Sequence, residues 1–238
     1  MSTHPLPLAE KTRSPKSTAS GFVSRRRHGT PKSLVISAEL AKRSSSITKN
    51  ARIAHKKSKN RVHKYDNLLN RQFRADRPNV KWVTDISYIH TKEGVLYLSM
   101  IRDLYDNSIE AYKTASHQTV NLVLDTIRLA MKTEKKRVAA ELQLHSDQGF
   151  QYTSQAYFKL TQQYGIIPSM SRRGNPYDNA LAENFFSILK TECIHRVKIK
   201  TFAEARRIID DYIFFYNHQR IQTKTKLTPM EFRRQYVA

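Results

Sequence analysis

The run from Val95 to Asp103 (VLYLSMIRD) leaves few architectures open. A strand with one wet face alternates polar and apolar residues, and this one does not. It reads as an inner strand of a sheet covered on both sides. Lys81 to His90 (KWVTDISYIH) precedes it and is rich in β-branched and aromatic residues, so it reads as a partner strand. Ile109 to Thr114 reads as a third. Thr91-Lys92-Glu93-Gly94 and Asp106-Asn107-Ser108 supply the turns between them. These three strands predict an antiparallel meander.

The hydrophobic period then changes. Val120, Val123, Leu124, Ile127, Leu129 and Met131 fall within a helical stretch from about Gln118 to Lys132. Glu141 to Ser146 is a short strand, and Ser154 to Tyr164 a helix with Gly165 as its C-cap. Ile166 to Ser169 is a fifth strand. Helices follow from about Asp178 to Cys193 and from about Phe202 to Asn217, the latter striped by Ile209, Tyr212, Ile213 and Tyr216. Three strands followed by alternating helices and strands predict an α/β fold, a mixed five-stranded sheet flanked by helices.

Charge divides the chain. Residues 1–64 hold 16 Lys+Arg against 2 Asp+Glu, and residues 65–238 hold 26 against 18. The first segment is also rich in Ser, Thr and Pro, and reads as a basic low-complexity arm, largely disordered or weakly helical. Residues 65–238 then form the globular domain. A net charge of +22 calls for a polyanionic partner, because Lys and Arg release counterions from phosphates. Nucleic acid is the first candidate, and an acidic membrane surface the second. A membrane is not expected, since no apolar run reaches spanning length and no basic amphipathic helix offers an aromatic face. Cys193 alone gives neither a disulfide nor a zinc cluster. With no secretory signal, a reducing cytosol is the expected location.

Three acids stand where acids are costly or useful. Asp85 interrupts a strand-forming run, which is unfavourable unless it is paired or metal-bound. Asp147 follows a strand, at the end where α/β sheets place ligands. Glu183 lies in the first turns of a helix. Singly, each has a structural explanation as turn former, cap or dipole partner. Together, two acids from strand positions and one from a helix can converge on a pair of hard divalent cations. Asp103, ending the second strand, reads as a turn former, with a place near the site as the alternative. His145 and Trp82 read as packed residues.

The flanking residues add a resemblance. Trp82-Val83-Thr84-Asp85, His145-Ser146-Asp147-Gln148-Gly149-Phe150-Gln151-Tyr152 and Gly174-Asn175-Pro176-Tyr177-Asp178-Asn179-Ala180-Leu181-Ala182-Glu183-Asn184-Phe185-Phe186 resemble the second-reading-frame transposases of insertion sequences of the IS-three type. These belong to the DDE superfamily that includes retroviral integrases. Residues 148–182 separate Asp147 from Glu183, which is the family's spacing of 35. The resemblance runs from about Leu68 to the C-terminus and takes in Tyr216 to Arg220 and Leu227 to Phe232.

The resemblance implies a ribonuclease H-like core, a polynucleotidyl transferase with Asp85, Asp147 and Glu183 as catalytic residues and metal ligands for two magnesium ions, manganese substituting. It implies cleavage at the element's ends and transfer of the freed 3′-hydroxyl to target DNA. Lys190, seven residues after Glu183, shares its helix face and is expected to contact DNA. Arg172, Arg173, Asn175, Tyr177 and Asn179 are further expected DNA contacts. The family implies a homo-oligomer on DNA and a first-reading-frame product as partner. The arm at 1–64 does not resemble the family's helical N-terminal portion, which brings in an alternative: a non-catalytic DNA-binding remnant that competes with a full-length enzyme. A nuclease that cuts without joining is a third reading.

Overall fold

The computed structural model describes residues 62–134, 140–173 and 178–236. The basic arm expected at 1–64 therefore lies outside the described residues up to position 61, as do Asn175 and Tyr177. Three antiparallel strands open the core: β1 (Lys81–Thr91), β2 (Gly94–Asp103) and β3 (Ile109–Ala115). Helix α1 (Val120–Glu134) leads to β4 (Gln143–Ser146), α2 (Gln155–Tyr164) and β5 (Ile167–Met170). Three helices follow, α3 (Ala180–Glu192), α4 (Phe202–His218) and the short α5 (Pro229–Arg234).

The sheet order is β3-β2-β1-β4-β5, with β4 parallel to both of its neighbours. β2 is buried on both faces, as its composition requires. Leu96, Leu98 and Met100 join a core with Phe185, Leu189, Ile209 and Tyr216 of α3 and α4. Ile101 joins a second core with Val123, Ile127, Leu144 and Tyr157 beneath α1 and α2. Trp82 is fully buried in that second core. The mixed five-stranded sheet flanked by helices is the architecture expected from the element order.

The helix ends follow local chemistry. Ser154 Oγ accepts the Tyr157 N–H at 3.2 Å, and Gly165 closes α2 with φ 67°. Thr201 caps α4 through the Glu204 N–H, and Thr228 with Glu231 forms a capping box on α5. Each such cap contributes about 1 kcal/mol. α5 was not read as a helix from the sequence, because six residues are too few to show a period.

That short helix carries Arg233 into the core. Its guanidinium pairs with Asp103 at 2.8 Å, with Glu110 at 2.6 Å and with Asp106. Glu134 lies at 3.8 Å. Asp103 also accepts from the Asn79 and Tyr105 backbone N–H groups and from Trp82 Nε1. It is thus an anchor for the C-terminal segment, and its place as a fourth acid at the catalytic cleft is replaced by this role.

Burial pushes the Glu110 carboxyl up to about 8, against the pull of Arg233. Burial and the charge of Asp106 push Asp103 up to about 6. Both groups hold protons more tightly folded than unfolded. Their contribution to stability is complete below the ordinary carboxyl range, near pH 4, and is lost as pH rises through the two folded values. The melting temperature in the absence of metal is expected to fall between about pH 5 and about pH 9, and Glu110→Gln to flatten the upper part of that decline. A wild-type profile that is level or rising over this range would contradict the assignment.

Candidate active site

β1 and β4 pair in parallel, with Val83 opposite His145 as the last rung. Asp85 and Asp147 each stand two residues past that rung. Asp85 lies within β1 and shares the face of Val83, whereas Asp147 stands one residue beyond the end of β4, near enough for its charge to act on Asp85. Glu183 comes from the first turn of α3, which is held from several directions. Arg102, buried in β2, donates to the Leu181 carbonyl at 2.7 Å. Phe185, Phe186 and Leu189 are buried beneath the helix. At its far end Glu192 accepts a bidentate pair from Arg220.

The entrance to α3 is held by Asp178, whose side chain is inaccessible. Arg172 donates to it through Nε at 2.9 Å, Nη2 at 3.1 Å and its backbone N–H. Asn67 donates at 2.8 Å, and Arg71 adds a contact at 3.5 Å. These bonds, those of Arg172 first, hold the Asp178 carboxyl well below the usual range. Residues before β1 thus form a strap that reaches the entrance to α3. Its contacts begin at His63, stacked 4.2 Å from the Phe158 ring.

The immediate partners of the aspartates are few. Asp85 Oδ1 accepts the Ile86 N–H at 2.7 Å, and Oδ2 accepts Asn179 Nδ2 at 3.1 Å. Asp147 Oδ1 accepts the Gly149 N–H at 2.9 Å. A Cβ on Gly149 would lie 2.9 Å from that same oxygen and 3.0 Å from Gln151 Oε1, so a larger residue there would have to displace these side chains. Tyr152, fully buried, places its hydroxyl 3.4 Å from Thr84 Oγ1 in the strand that carries Asp85.

Burial, with the charges of Asp147 and Glu183 adding to it, pushes the Asp85 carboxyl up to about 7. The charges of Asp147 and Glu183 thus both reach Asp85. No Lys or Arg pairs with any of them among the described residues. An open cleft of about 350 Å³ is lined by Asp85, Ser87, Glu183, Ser187, Lys190 and His195. Lys190, partly desolvated, has its pKa lowered by burial, with Asp85 opposing the shift.

The donor chemistry suits a hard divalent cation: oxygen ligands only, in excess of local positive charge. Among the described residues no three His, Cys, Asp or Glu side chains stand close enough to form a closed metal cluster. The charges of Asp147 and Glu183 reach Asp85, but the three side chains are not drawn into one cluster.

Other expected contacts fall in different places. Arg173 is exposed. Arg172 and Asn179 are already engaged, with Asp178 and Asp85 respectively. Asn179 is buried and belongs to the carboxylate site rather than to an outer DNA surface. His145 Nδ1 lies 2.8 Å from Ser169 Oγ, and burial lowers its pKa. Ser87 and His195 in the cleft were not found from sequence. Ser87 had a signal, since it lies two positions from Asp85 on the same strand face. His195 follows a break after α3 that no helical period crosses.

Comparison with known proteins identifies the fold and the family. Residues 75–176 match the model of the Integrase core domain, and residues 183–237 match a second model of the same description. An uncharacterized transposase-like protein of Haemophilus influenzae is 42% identical over 174 residues, covering 73% of this chain and 79% of that protein. The transposase for insertion sequence element IS904 of Lactococcus lactis is 41% identical over 158 residues, 66% of this chain and 62% of the relative. The chain thus spans less than two thirds of that relative's length.

Among solved structures, the magnesium complex of the HTLV-2 integrase catalytic core domain in its trimeric form superposes with a TM-score of 0.53 at 16% identity, over 67% of this chain and 99% of that one. A simian T-cell lymphotropic virus intasome gives 0.60 at 18%, over 74% and 61%. At such identity these two establish the fold, and the closer relatives establish the family. No helix among the described residues is long and apolar enough to cross a membrane. The chain belongs to the insertion-sequence transposases that carry an integrase core.

Proposed function

We propose that the protein cleaves DNA at element ends and transfers the resulting 3′-hydroxyl to a target strand, with Asp85, Asp147 and Glu183 holding two magnesium ions. The observation that carries this reading is the placement of Asp85 and Asp147 two residues past one rung of a parallel ladder, with the charge of Glu183 acting on the same carboxyl. When bound, the metal pair would sharpen the attacking oxygen and stabilise the leaving one.

The chain's own residues orient and screen. The Gly149 N–H and Asn179 fix the two aspartates, and α3 brings Glu183 to face them. Lys190 offers a cation to the phosphate at the cleft. Water first adds to phosphorus as the bond to the 3′-oxygen breaks, leaving a 3′-hydroxyl. That hydroxyl then attacks a second phosphodiester and displaces another 3′-oxygen. One phosphodiester is exchanged for another, so no outside energy source is required. The same side chains serve both steps, and no covalent protein intermediate forms. Assembly as a homo-oligomer on DNA, a first-reading-frame partner and a place in the bacterial cytosol belong to this reading.

The test uses labelled element ends with magnesium or manganese. Cleavage followed by joining is expected. Binding without cleavage would replace this reading with that of a non-catalytic competitor. Cleavage without joining would replace it with a simple nuclease.

A further inference from the structure

Tyr88 lies on β1 three residues past Asp85, and 53% of its surface is exposed. Lys190 Nζ sits 4.6 Å from the centroid of its ring. The His90 ring lies edge-on at 5.4 Å. The ladder from β1 to β4 ends at Val83, so β4 does not pair beside Tyr88. Lys190 in turn lines the cleft with Asp85 and Glu183.

Packing does not account for this ring. Neither hydrophobic core includes Tyr88, and it makes no hydrogen bond through its hydroxyl among the described residues. What it does is place a flat apolar surface within reach of a cation that itself faces the carboxylate site. A nucleotide carries the matching pair of features, a phosphate and an aromatic base. Inside a paired duplex the base faces are covered by their neighbours and only the outer face of the last pair is open, whereas a base released from pairing can turn its face onto a ring at the side of the cleft.

We propose that Tyr88 is a stacking platform for an unpaired base at the end of the DNA, with the adjoining phosphate held by Lys190. This rests on reading the cleft as the site of DNA strand transfer. It makes Tyr88 a residue that prefers a frayed end to a closed one, whatever the base sequence, because every base has a face to stack. The phenol hydroxyl has no part in it, so phenylalanine should serve as well.

The experiment measures binding by fluorescence anisotropy at fixed salt and without divalent metal, so that no strand is cut. Three DNAs are compared: a blunt duplex, the same duplex with two terminal nucleotides unpaired, and that frayed duplex with abasic sites at the unpaired positions. The wild type is expected to bind the frayed end about tenfold more tightly than its abasic counterpart. Tyr88→Phe should keep that preference. Tyr88→Leu should lose it while binding the blunt duplex as the wild type does. The proposal is overturned if the wild type binds frayed and abasic ends equally, if Tyr88→Phe loses as much as Tyr88→Leu, or if Tyr88→Leu weakens all three DNAs alike. A wild type that binds none of them overturns the DNA reading of the cleft along with it, so the two failures are told apart.

Discussion

Asp147→Asn is expected to lower both cleavage and joining of a labelled DNA end by about a thousandfold or more, equivalent to roughly 4 kcal/mol of transition-state stabilisation. The substitution removes one of three negative charges that the site offers to metal. It leaves an amide oxygen in place, so the 2.9 Å bond from the Gly149 N–H can persist and the turn after β4 should hold. DNA binding without metal and the melting temperature should therefore match the wild type. The measurement is a single-turnover assay in magnesium beside a thermal melt. Full strand transfer by this variant would remove Asp147 from the metal site. A collapse of the melt would point to a structural role.

Arg233→Ala has the largest expected effect on folding, a loss of about 3–5 kcal/mol. The guanidinium is 10% exposed and faces four acids, three of them within 2.8 Å. Removing it strands buried carboxylates with one another. Denaturant unfolding near pH 7 reads the loss directly. The deficit should shrink in acid, because the stranded groups can then be neutralised by protonation. Arg233→Lys should recover only part of it, since an ammonium cannot present the planar fork that meets Asp103 and Asp106 together. A loss below about 1 kcal/mol, the scale of a surface pair, would mean that the C-terminal helix is held by its apolar contacts instead.

The sheet and most helices were legible because their signals are local. The unalternating apolar run of β2, the Ser154 and Gly165 caps of α2 and the stripe on α4 each declare themselves within a few residues. The three acids proposed for the site were singled out through their flanking motifs and the interval between Asp147 and Glu183, more than through any property of an isolated acid. Contacts made across long sequence distances were not legible. Asn67 and Asp178 are 111 residues apart, and Arg233 is 130 from Asp103. Arg172 illustrates the limit. An arginine before a Gly-Asn-Pro loop reads as a phosphate contact, yet in the fold a buried aspartate six residues away engages it first. Asn179 reads as a hydrogen-bonding DNA contact in the loop before α3, and in the fold its side chain donates to Asp85.

The ladder between β1 and β4 has one further consequence. Because a strand turns each successive side chain to the opposite side, the nearness of the two aspartates is a matter of register as well as distance. Slippage of β4 by one residue would keep every amino acid, yet turn the side chains of β4 to the opposite faces and shift the turn that carries Asp147 relative to Asp85. The three rungs from Lys81 to Val83 therefore act as a gauge block, and the spacing of the reacting centre is set in whole-residue steps rather than adjusted continuously.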